Sequence, residues 1–210
     1  MDFTEMTGLL SAALAVVAMG LLAGIVLEWK RPWRVAALCT LVLAALLPVA
    51  GLSLAGYVRG VVGDLSITTV VVMLLDIGSR VFHRQAVPQK EIITLCGLVV
   101  LCGAFLYPMA LGATPYDPYR MGYDSYGLPA ALLLLGLAAW LQRLFLITFC
   151  ITLAMLAFSI GWYASTNLWD YLMDPVLLVG SLLYLLRQAA TAVMKKRRHR
   201  NRRGSWRNNT

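Results

Sequence analysis

The sequence predicts an all-α protein, a polytopic bundle of seven membrane-spanning helices, on three observations. Apolar runs long enough to cross a bilayer recur from Gly8 to Met194. Hydrophobic residues make up 60% of the 210 and charged residues only 13%, which is too little polar surface to cover a soluble fold of this size. Lysine and arginine also gather on one side of the alternation that the runs imply.

A helix needs about 20 residues, at about 1.5 Å each, to cross a hydrocarbon core of about 30 Å. That ruler gives spans at Gly8 to Leu27, Val35 to Gly56, Leu65 to Phe82, Ile92 to Ala113, Leu128 to Leu141, Leu144 to Ala164 and Pro175 to Met194. The fifth is short, with 14 residues before Gln142 and Arg143. Parity nevertheless separates it from the sixth. Six spans would put the basic tail on the opposite side from Lys30, Arg31 and Arg34, whereas seven bring them together.

With the amino terminus outside, 16 of the 18 basic residues fall inside and only Arg59 and Arg120 outside. The positive-inside bias sets the orientation, with the carboxyl terminus in the cytoplasm. Residues 1–194 form the helical bundle, and residues 195–210 form a basic, disordered cytoplasmic tail. The net charge of +8 belongs to that tail, which holds eight basic residues and no acidic one. No cleavable signal peptide is expected, because Met1 to Met6 carries two acids where a basic segment would stand. The expected location is a bacterial inner membrane.

The connections are short and no internal repeat is evident, so an inverted-repeat transporter has no support. Gly20 and Gly24 in the first span, and Gly97, Cys102 and Gly103 in the fourth, are small residues that allow close helix approach. The two histidines, His83 and His199, lie outside the spans, which excludes paired intramembrane haem ligands. The last span has no lysine within the membrane for a retinal Schiff base. No phosphate-binding glycine loop or zinc-protease helix is present. Cys39, Cys96, Cys102 and Cys150 all fall in spans and read as packing residues. No cofactor and no metal is expected.

Three sites remain as candidates. Asp76 lies inside the third span, where a charge is costly and marks an ion or proton path. Arg80, one turn on at i+4, offers the plainer reading of a neutralising pair near the inner interface. The second site is external: residues 115–127 carry Tyr116, Asp117, Tyr119, Arg120, Tyr123 and Asp124, with Asp170 expected on the same side. Tyrosines, carboxylates and one arginine suit a sugar or lipid headgroup, but also an ordered interfacial cap. Asp174 before Pro175 reads as a helix N-cap. The third is the tail, where Lys195, Lys196, Arg197, Arg198, Arg200, Arg202 and Arg203 suit anionic lipid headgroups or a docking partner. Nucleic acid is disfavoured, because Trp206 is the tail's only aromatic residue.

The function expected from these features is a non-enzymatic subunit assisting assembly, regulation or scaffolding of an envelope system, with membrane lipids and a membrane-protein partner or a second copy as its contacts. One rival is a small-solute or ion transporter or channel using Asp76. Another is a membrane enzyme acting on a lipid-linked substrate at the external Tyr/Asp surface. A water-filled path to Asp76 distinguishes the first rival, and a groove joining Asp117, Arg120, Asp124 and Asp170 distinguishes the second.

Overall fold

A computed structural model describes residues 3–22, 31–49, 52–85, 87–124 and 126–207. Gly24 and Lys30 lie outside the described residues, as do the side chains of Gly20, Arg31, Arg34 and Asp124. The chain is all-helical apart from one two-residue antiparallel bridge. Its helices are α1 (Phe3–Leu22), α2 (Arg31–Leu46), α3 (Leu54–Val62), α4 (Ile67–Phe82), α5 (Gln89–Ala110), α6 (Met121–Asp124), α7 (Gly127–Leu141), α8 (Phe145–Ser159), α9 (Leu168–Leu172) and α10 (Pro175–Arg207).

Among the described residues two helices are long and apolar enough to cross a membrane: α5, and Pro175–Lys195 of α10. The predicted span from Val35 to Gly56 is not one helix. It breaks after Leu46 into strands β1 (Pro48–Val49) and β2 (Leu52–Ser53), followed by α3. Pro48 has no N–H to continue α2 and disfavours helical geometry at Leu47. Ser53 then restarts the chain, its hydroxyl accepting from the Gly56 N–H at 3.0 Å. The predicted separation at Gln142 falls in a tight turn between α7 and α8, which pack antiparallel with Thr148 donating to the Gly136 carbonyl at 3.2 Å. The tail also differs from the disordered segment expected, because the backbone of α10 stays helical through Arg207. Lysine and arginine are good helix formers and extend a helix already nucleated by the apolar part.

The connections at residues 63–66, 111–124 and 160–174 meet on one face, termed the cap face. Those at 83–85, 87–88 and 142–144 lie at the other ends of the same helices, on the basic face. Between them Leu95, Leu106, Leu132, Ile147, Cys150 and Ala154 belong to the main buried core. Ala12, Ala13, Ala45 and Ala55 form a second core where α1, α2 and α3 approach closely. The outward faces remain hydrocarbon: Leu101, Leu134 and Leu141 are 69%, 70% and 77% exposed.

Candidate functional site

The connection at residues 111–124 folds as a cap. Asp117 caps the short 3-10 turn Pro118–Arg120, its Oδ1 accepting from the Tyr119 N–H at 3.0 Å. That turn presents Tyr119 to the last cap-face loop, where its hydroxyl donates to Asp170 Oδ1 at 2.7 Å. Burial, then the bond to Asp170, holds the Tyr119 hydroxyl well above its ordinary pKa, so it stays a donor at neutral pH. Ser165 donates to the other Asp170 oxygen at 2.5 Å. Asn167, fully buried, donates to the Tyr119 carbonyl at 3.0 Å, and the Trp169 indole donates to the Pro118 carbonyl at 3.1 Å. Beneath them Tyr171, also fully buried, donates to the Tyr163 carbonyl at 3.0 Å and receives the Tyr163 N–H at 3.1 Å.

The predicted external residues are therefore only partly brought together. Tyr119 and Asp170 meet; Asp117 serves its own turn. Tyr123 stacks edge-on against Tyr119, with ring centroids 5.8 Å apart. Tyr116 is exposed and donates to the Met121 sulfur. Arg120 is exposed and makes no ion pair among the described residues. The backbone of Asp124 ends α6, and its side chain lies outside the described ones. Asp117 and Asp170 are held by other groups, the first by the Tyr119 N–H and the second by the Tyr119 and Ser165 hydroxyls, and neither pairs with Arg120. Arg59, on the same face, bonds Asp64 at 2.6 Å, which raises its pKa further.

Asp76 and Arg80 pair at 2.8 Å, Arg80 Nε to Asp76 Oδ2, as their i+4 spacing expects. Their side chains are 43% and 32% exposed, so the direct attraction is modest, about 0.5 to 1 kcal/mol. Asp76→Asn is expected to lower folded yield, and adding Arg80→Gln to recover part of it. Full yield with lost ion or proton flux would instead make Asp76 the transporting group.

Asp76 also lines a cleft of about 490 Å3. Its walls are Val72, Met73 and Leu75 of α4, Leu95 and Cys96 of α5, and Val176, Leu177 and Gly180 of α10, with few polar groups beyond Asp76, Ser79, Gln85 and Tyr184. The cleft exists because α4 and α10 meet at one end only. There Asp174, 5% exposed, accepts from the Ser66 N–H at 2.7 Å and the Thr69 hydroxyl at 2.5 Å. Its other oxygen caps α10 by accepting from the Leu177 N–H at 2.7 Å. Towards the basic face the two helices diverge, and α10 packs on α5, where Gln89 donates to Gln188 at 3.1 Å.

Two residues carry more of the structure than the sequence reading gives them. Glu91, 7% exposed, accepts from the Leu146 N–H at 2.7 Å and so caps α8 from a neighbouring helix. Gly122 lies so close to Asn167 that no Cβ fits there. The tail side chains beyond Lys195 lie outside the described residues. Among the described residues no cluster of His, Cys, Asp or Glu has the makings of a metal site. Compared with known protein families, curated proteins and solved structures, the chain has no match in any of the three.

Proposed function

We propose that the chain is a multi-pass membrane protein of seven spans, cap face outward and basic tail in the cytoplasm of a bacterial inner membrane, acting as a non-enzymatic subunit for assembly or scaffolding. The observation that carries the scaffold reading is the cap. Tyr119, Asp170, Ser165, Asn167 and Trp169 spend their hydrogen bonds on one another and on nearby backbone, while Arg120 stands apart. A groove for a lipid-linked substrate would need those groups free and convergent. The partition of charge supports the orientation: Arg80, Arg84, Lys90 and Arg143 lie on or beside the basic-face turns, while Asp64, Asp117, Asp170 and Asp174 lie at the cap face. The exposed leucines support a hydrocarbon environment, because soluble monomers rarely expose apolar surface on this scale.

A reporter fused after Thr210 is expected to behave as cytoplasmic, and one inserted within residues 116–125 as external. The same side for both would overturn the span count. The native chain is then expected to leave mild detergent with a membrane-protein partner or a second copy, and a partner-free monomer would overturn the scaffold reading. The second reading, a small transporter, is favoured by one observation, the presence of Asp76 in the cleft. It requires flux in proteoliposomes that Asp76→Asn removes while the fold persists. The cleft's largely hydrocarbon walls favour an apolar occupant over a water path.

A further inference from the structure

We propose that the cleft between α4 and α10 is a lipid site, taking one acyl chain of an anionic phospholipid with its phosphate at the basic rim. This rests on the reading that the chain is embedded in a membrane. The size suits a flexible chain, the cleft being about 490 Å3. A methylene takes about the volume of a water, about 30 Å3, so the cleft holds a chain of on the order of sixteen carbons. The walls agree, since Val72, Leu75, Leu95, Val176 and Leu177 present hydrocarbon along its length. An empty cleft of this kind would forfeit their dispersion contacts, and an acyl chain is the nearest flexible filler in a bilayer.

The polar end selects the headgroup. Among the described residues Asp76 is the only acid lining the cleft, and Arg80 already neutralises it. Glu91, the nearest acid on α5, is buried and occupied with the Leu146 N–H. Three exposed bases stand near lining residues along the chain, though none lines the cleft itself: Arg84 beside Gln85, Lys90 two residues before Ile92, and Arg187 one turn after Tyr184. Gln85 and Tyr184 add donors that suit phosphate oxygens. A rim rich in arginine and lysine, with its one acid already paired, attracts a negative headgroup over a zwitterionic one.

The test uses the full chain in phosphatidylcholine nanodiscs containing a small fraction of phosphatidylglycerol with a photoreactive acyl chain. Adducts are expected on Val72, Leu95 and Val176 at least about fivefold above those on the outward-facing Leu101, Leu182 and Leu186. The same probe with a phosphatidylcholine headgroup should label the cleft several-fold less. Gly180→Phe provides the matching loss, because Gly180 lines the cleft and an added Cβ there meets nothing within 4 Å. It should keep its helical circular dichroism and lose most cleft adducts. Should that variant fail to fold, the two headgroups compared on the native chain decide alone. Adducts spread evenly over outward residues, or equal labelling by both headgroups, would overturn the site. Release of the chain from membranes by alkaline carbonate would overturn the membrane reading beneath it.

Discussion

Asp174→Ala is expected to cost the bundle about 3 to 5 kcal/mol, the largest loss of any single substitution considered for this chain. Three donors converge on the one buried carboxylate: the Ser66 N–H, the Thr69 hydroxyl and the Leu177 N–H. Alanine strips them all at once, leaving two backbone N–H groups without an acceptor in a site from which water is excluded. Both consequences fall on the same end of the bundle, since α10 loses its cap and α4 loses its tie to α10. Asp174→Asn keeps an oxygen for the Leu177 N–H but turns an amide donor towards donors at Ser66, so it should lose about half as much. Unfolding by sodium dodecyl sulfate in mixed micelles measures both. A loss below about 1 kcal/mol for the alanine variant would mean that the α4–α10 tie contributes little to the folded state.

Gly122→Ala should be nearly as damaging, at about 3 kcal/mol, although it adds a single methyl group. The new Cβ would stand 1.8 Å from Asn167 Oδ1 and 2.8 Å from Trp169 Cδ1. Asn167 cannot swing aside, because its amide bonds the Tyr119 carbonyl while its oxygen receives the Trp169 N–H at 2.9 Å. The two cap-face loops must separate instead, breaking the indole bond to Pro118. Limited proteolysis within residues 114–126 should accelerate several-fold, with a matching fall in thermal midpoint. Unchanged resistance to protease would show that the loops do not close over Gly122.

What the sequence makes legible here is what lies close along the chain. Asp76 and Arg80 are four residues apart, Asp174 precedes Pro175, and both relations follow from helical geometry alone. The second duty of Asp174, towards Ser66 and 108 residues away, leaves no local trace. Nor does Glu91, whose acceptor role depends on α8 beginning beside α5. The cleft is of the same kind, since it arises from the angle between α4 and α10 and no residue announces it. The break in the second predicted span was readable: Pro48, Gly51 and Ser53 are turn and cap residues, outweighed by the hydropathy around them. At residues 115–127 the composition favoured a cap while also suiting a ligand. Only the partners of Tyr119, Asp170 and Asn167 separate the two.

The chain reverses direction differently on its two faces. On the cap face the left-handed positions are glycines, Gly63, Gly112 and Gly161, which adopt positive φ without steric cost. On the basic face they are His83 and Arg143, at φ 52° and 59°, where a Cβ costs roughly 1 to 2 kcal/mol. Glycine at 143 would ease the α7–α8 turn and erase the only charge between those helices. Under the proposed orientation the folded protein thus tolerates backbone strain that serves an earlier event, the sorting of this hairpin during insertion. Under that orientation Arg143 would act as a signal to the membrane-insertion step, kept in place after that step is over, with the finished bundle bearing its cost.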